Sequence, residues 1–148
     1  MAMDSLKDLY VEQLRDLYSA ETQILQALPD MMERASHPEL RSGFEMHRDQ
    51  TQQQVQRLEQ IFSDLGENPK GHHCDGMEGL LKEGREMLRE KGDSGVIDAG
   101  IIAAAQRVEH YEIAGYGTVR NFAEQLGMEE HARLLQQTLD EEGETDKK

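Results

Sequence analysis

Glutamates in step with an aliphatic pattern are the residues of this chain that could do chemistry. In Leu14, Leu17, Glu21, Ile24, Leu28 an acid falls at helical spacing among residues that a helix would bury. The stripe Ile102, Ala105, Glu109, Glu112, Tyr116, Val119 carries two acids one turn apart on one face, and Leu135, Thr138, Glu142 brings a fourth. A further stripe, Leu40, Phe44, His47, Gln50 or Thr51, Gln54, Leu58, turns polar in its middle without a glutamate. Carboxylates converging in an aliphatic interior cost several kcal/mol per uncompensated ion. Two arrangements relieve that cost: raised pKa values with shared protons, or a bound multivalent cation. A dinuclear iron or manganese site built from glutamates on facing helices is a known solution in bundles, and Glu109-x-x-Glu112 supplies half of such a set.

The elements that must position these acids are long helices. Apolar periodicity predicts helices at about 4–35, 38–65, 96–126 and 128–146, with a shorter one at 77–91 inside the crossover. Ser36-His37-Pro38 combines a stop with a start, Gly66 and Gly127 end helices, and Pro29 is expected to bend the first. The pattern predicts an all-α four-helix bundle in a single domain, two antiparallel hairpins joined by a long crossover. In an antiparallel hairpin, residues equally far from the turn lie opposite each other. Glu112 and Glu142 are each fifteen residues from Gly127, and Glu21 and Thr51 each fifteen from Ser36. Glu109 pairs likewise with Thr145, next to Asp146. The polar zones of the four long helices therefore coincide in depth.

Composition narrows the function from outside. The 148 residues include 30 acidic and 16 basic, a net charge of −14, with 36% hydrophobic residues, no Trp and three Pro. A surface this acidic repels phosphate backbones and anionic membranes, and no basic cluster stands apart, so nucleic acid and membrane are not expected partners. The apolar stretch Ile101–Ala105 is far too short to span a bilayer, and Met1–Ser5 does not read as a secretion signal. The lone Cys74 cannot close an internal disulfide, in keeping with a cytoplasmic location. His72-His73-Cys74-Asp75 lacks the paired spacing of a zinc site and reads as a loop. The eight Met are scattered core filler. His47 lies about one turn from the Glu21 layer and reads either as a ligand or as a hydrogen-bonded core histidine. His110 points away from Glu109 around the helix. Tyr18 and Tyr116 sit within a turn of the layer, where packing is the first expectation.

Three strings carry a family likeness: Leu14-Arg-Asp-Leu-Tyr-Ser-Ala-Glu21, Gln106-Arg-Val-Glu-His-Tyr-Glu-Ile-Ala114 with Gly115-Tyr-Gly-Thr118, and Thr138-Leu-Asp-Glu-Glu142 followed by Thr145-Asp146. Over essentially its whole length the chain resembles the YciE/YciF-type family of ferritin-like proteins, related to rubrerythrin and ferritin, with stress-associated bacterial members and dimers among its known forms. The resemblance implies a di-iron carboxylate site, with manganese as a substitute, that oxidises Fe(II) with O2 or peroxide in a cytoplasmic homodimer. The other implied reading is a non-enzymatic metal-binding or structural stress protein with a degenerate site. Carried over by position, Glu21, Glu109, Glu112 and Glu142 are the ligands, with Asp146 or Thr145 nearby. The second helix departs from the family pattern: where members often carry an acid in a His-x-x-Glu-Thr segment, this chain reads His47-Arg48-Asp49-Gln50-Thr51. Gln50 offers only a weak carbonyl oxygen, which leaves His47 or Gln54 to fill the position.

Overall fold

Each helix starts and stops where local chemistry satisfies its open backbone groups. The computed structural model describes residues 3–146, the side chain of Asp146 excepted. Helix α1 (Leu6–Arg34) opens on Ser5, whose hydroxyl accepts from the Asp8 N–H at 3.1 Å, and it continues without a break through Pro29. Helix α2 (Pro38–Leu65) opens on His37, whose Nδ1 accepts from the Glu39 N–H, and closes on Gly66 at φ 66°, a left-handed turn that glycine adopts without strain. Helix α3 (Asp75–Arg89) begins two residues ahead of the expected 77 because the Cys74 sulfur accepts from the Met77 N–H at 3.3 Å. Asp93 caps α4 (Ser94–Gln125), and Gly127 at φ 73° turns the chain into α5 (Glu129–Asp146).

These helices form two hairpins, α1 with α2 and α4 with α5; α1 also packs on α4 and α2 on α5, closing a four-helix bundle. The short α3 lies in the crossover against α1 and α4. One carboxylate sets the relative depth of the two hairpins. Asp98, near the start of α4, accepts from the Ser36 N–H (3.1 Å), the Ser36 hydroxyl (2.7 Å) and the His37 N–H (3.1 Å) at the α1–α2 turn. Helix α4 therefore starts at that turn, parallel to α2 and antiparallel to α1.

The core is divided in two. One cluster gathers Tyr10, Leu14, Leu17, Leu58, Ile61, Phe62, Tyr116, Val119 and Leu135, and the other gathers Ile24, Leu28, Met31, Phe44, Met77, Leu81, Ile101 and Val108. Along α1 the boundary falls between Tyr18 and Ala20, next to Glu21, and along α4 between Tyr111 and Tyr116. On α4 the buried face differs from the expected stripe at one residue: Ile102 is 50% exposed, while Ile101, Ala104 and Val108 turn inward. The run Ile101-Ile102-Ala103-Ala104-Ala105 has too little contrast between faces to fix the phase of the helix.

Candidate metal centre

Glu21, Glu112 and Glu142 are each fully buried, and Glu109 and His47 retain only 7% and 5% exposure. Each is delivered by a different turn of helix at the seam between the two core clusters. One ligand atom each from His47, Glu112 and Glu142 lies within 4.8 Å of the others. The charge of Glu21 reaches both Glu112 and Glu142, and that of Glu109 acts on the same two. Glu112 and Glu142, placed opposite each other by the count from Gly127, are thus brought together. His47 joins them although it stands one turn from Thr51. The Asp98 anchor explains its depth: His47 is ten residues past His37 and Glu109 eleven past Asp98, while Thr51 and Glu112 are each fourteen past the same two anchors. The polar layer is two turns thick, with His47 and Glu109 on one level and Glu21, Thr51 and Glu112 on the next.

Little among the described residues neutralises Glu21, Glu112 and Glu142. Both carboxylate oxygens of Glu21, Glu112 and Glu142, together with His47 Nε2, Gln54 Oε1 and the Tyr116 hydroxyl, are buried with no hydrogen-bond partner among the described residues. Burial pushes the Glu21 carboxyl up to about 7, with the neighbouring Glu112 and Tyr116 acting in the opposite direction. Burial, and then the charge of Glu21, push Glu142 up to about 9. Glu112, fully buried and facing Glu21, Glu142 and Glu109, is held well above the usual carboxylate range. Burial moves His47 the other way, down to about 4, so its imidazole is neutral with a free lone pair at neutral pH.

The remaining expected residues lie around this centre. Gln50 is half-buried, and its Oε1 accepts from the Thr145 hydroxyl at 3.2 Å, so its carbonyl oxygen is engaged with α5. Asp146 ends α5, and its side chain lies outside the described residues. Gln54 is fully buried beside Glu142, and its Nε2 donates to Glu141 at 3.2 Å. Arg57 grips the same Glu141 carboxylate through two 2.8 Å bonds and donates to the Thr138 hydroxyl at 3.0 Å. Sequence reasoning missed this ion pair because α2 and α5 belong to different hairpins, and no count from a turn relates Arg57 to Glu141. The Cys74 segment is built into the protein: the thiol bonds the Tyr111 hydroxyl at 3.0 Å, and that hydroxyl donates to Asp16 at 2.7 Å. His72 bridges Glu12 and Asp16, and His73 pairs with Glu78 at the exposed start of α3.

Among the described residues, the four long helices closing on a layer of convergent buried acids define a ferritin-like helical bundle. The chain belongs to the family described as Domain of unknown function (DUF892), which it matches over residues 5–148. Protein YciF of Escherichia coli (strain K12) is 42% identical over 147 residues, covering 99% of this chain and 89% of the relative. The crystal structure of that E. coli stress protein superposes with a TM-score of 0.94 at 41% identity, covering 97% of this chain and 91% of the other. YcfI from Rhodopseudomonas palustris superposes equally well, with a TM-score of 0.94 at 44% identity over 99% of this chain and 95% of its own. Among the described residues no helix is long and apolar enough to cross a membrane.

Proposed function

We propose that the layer of buried acids is a di-iron carboxylate centre, and that the protein oxidises Fe(II) with O2 or peroxide in protection against stress. The observation that carries this reading is the set of six carboxylate oxygens and one imidazole nitrogen that are buried without partners. Orphaned acceptors of this density are costly in a core, and a multivalent cation is the compensation that uses all of them at once. Charge bears on the stoichiometry: Glu21, Glu112 and Glu142, the three acids whose oxygens lack partners, carry three negative charges when ionised, more than one divalent ion balances. A set rich in carboxylate oxygen with one imidazole suits iron or manganese.

The chain's own residues divide the work. Glu112 is grouped with His47 and Glu142 and also feels the charge of Glu21, so it would be a central holder of a bound ion. Neutral His47 offers its lone pair without first losing a proton. The Tyr116 hydroxyl beside Glu21 keeps its proton, because burial and the surrounding acids raise its pKa well above the usual value. Glu21 and Glu142 release protons when a cation binds, which couples loading to pH. Bound iron supplies one-electron exchange between Fe(II) and Fe(III) at the expense of the oxidant. The stress role rests on likeness to the E. coli stress protein YciF.

Anaerobic Fe(II) titration followed by exposure to oxygen tests the reading. Two ions per chain and an absorbance of oxidised di-iron are expected; a protein that takes up no stoichiometric iron ends the proposal. Iron bound without oxidation would favour a non-enzymatic metal-binding protein, the reading to which Gln50, neutral and engaged with Thr145, lends support.

A further inference from the structure

We infer that residues 66–74, which lead from α2 into α3, form a proton-operated strap: His72 fastens it to α1 while both ring nitrogens carry protons, and releases it when one proton is lost. The strap has no apolar anchor of its own. From Gly66 to His73 no residue is buried, so polar contacts with α1 hold the segment down. Arg15 donates to the Asn68 carbonyl at 2.9 Å and to Glu67 at 3.2 Å. His72 places Nδ1 2.9 Å from a Glu12 oxygen and Nε2 3.1 Å from an Asp16 oxygen. Cys74 is tied by its N–H to the Ser19 hydroxyl at 2.9 Å, and its carbonyl accepts from Gln23 Nε2 at 3.1 Å.

The chemistry of the ring makes the His72 fastening conditional. An ionised carboxylate only accepts, and a neutral imidazole has one N–H and one bare lone pair. Two carboxylates against two ring nitrogens are therefore both attractive only for the imidazolium; in the neutral ring one contact becomes a lone pair facing a negative charge. Asp16 is set as an acceptor on both sides, because the Tyr111 hydroxyl of α4 donates to its other oxygen at 2.7 Å. The further charged and titratable groups beside the contact are Arg15, 3.8 Å from Glu12, and the Cys74 thiol, which bonds Tyr111. Arg15 keeps its charge, and Ser19 and Gln23 do not titrate, so among the fastenings a proton can come and go near neutrality only on His72. His73 supplies the contrast. It meets one carboxylate, Glu78, through one nitrogen at 2.6 Å, a contact that a neutral ring keeps. What the strap holds in place is α3: Cys74 ends the strap and caps that helix, which lays Met77 and Leu81 over the core cluster of Ile24 and Leu28. Release of the strap loosens that cover.

Trypsin reads the strap in the full chain, because Lys70 is exposed within it. The rate of cutting after Lys70 is compared at about pH 6 and about pH 8.5, on either side of the histidine range, each divided by the rate for an unstructured peptide of the same sequence. Cutting after Arg57, in the middle of α2, reports opening of the whole bundle. Where opening is fast relative to cleavage, the rate follows the open population. Cutting at Lys70 should be roughly fivefold faster at the higher pH, the size that goes with losing half-exposed ion pairs, with no matching rise at Arg57. His72→Ala should be cut at the fast rate at both pH values, and His73→Ala should keep the response of the parent; circular dichroism checks that both fold. Equal rates at the two pH values, a response that survives in His72→Ala, or one that disappears in His73→Ala overturns the inference. An equal rise at Lys70 and Arg57 overturns it too, since the bundle and not the strap would then be opening. None of these outcomes depends on the metal reading, because the comparison is made on the metal-free chain.

Discussion

At the scale of single residues, the decisive contrast is between acids that are satisfied and acids that are not. Asp98 is buried to a similar degree as Glu109, yet three donors at the α1–α2 turn satisfy it, and its carboxyl is held below the usual range by those bonds. Glu21, Glu112 and Glu142 have no such donors and shift upward. The pH dependence of the metal-free protein follows with a definite sign. Above the ordinary carboxylate value of 4.5 the unfolded chain releases protons that the folded chain still holds on Glu21 up to about 7 and on Glu142 up to about 9. The folded state binds more protons in that interval, so its stability falls as pH rises through it. Thermal melts of the chelator-treated protein should give a midpoint that declines steadily between about pH 5 and pH 9, and a flat or rising profile would contradict the buried-acid assignment. Glu112→Gln should remove only the share of this decline that Glu112 itself contributes, while abolishing iron binding and leaving helix content nearly unchanged. An amide fills the same space without a charge to desolvate.

Among the elements, α4 carries the closest tolerances. A Cβ on Gly115 would stand 2.7 Å from Leu17 Cδ2, and Leu17 is 1% exposed within the packed cluster around Tyr116. A Cβ on Gly117, two residues on, would meet no atom within 4 Å. The same substitution should therefore have opposite signs at the two positions. Gly117→Ala is expected to stabilise by up to about 1 kcal/mol through helix propensity alone. Gly115→Ala should destabilise by about 1 kcal/mol, because overpacking against α1 outweighs that gain. Denaturant melts of the pair test the α1–α4 packing, and equal effects would mean that the helices stand farther apart. The legibility of the sequence followed the same local logic. On α1 strong alternation of Leu and Ile with polar residues left one possible face, and Glu21 was found on it. On α4 the low-contrast run of Ile and Ala left the phase ambiguous by one residue, so Ile102 was expected inside and is half-exposed. Glu112 and Glu142 could be matched because one short turn links their helices. The company of His47 with Glu112 and Glu142 could not be matched this way, since it depends on how one hairpin is set against the other. That offset is fixed by the contact of Asp98 with Ser36 and His37, which no periodicity encodes.

For the whole molecule, the net charge of −14 divides into a surface share and an interior share. Most of the acids are solvated and favour the approach of cations, while the four at the seam decide where a cation would stay. Binding to the folded state alone stabilises it by mass action, about 2.7 kcal/mol when the free ion is at a hundred times its dissociation constant. Adding Fe(II) under anaerobic conditions should raise the melting temperature and a chelator should reverse it, with both effects absent in Glu142→Gln. The division of the core into two clusters gives that stabilisation a particular form. An uninterrupted aliphatic core propagates unfolding from end to end, but here the two halves meet across a polar waist. With the waist uncompensated, each half can melt on its own schedule, and hydrogen exchange would report two protection levels along α1, changing near Glu21. A cation gripped from four helices would rivet the halves together, so that the chain's cooperativity is borrowed from its ion.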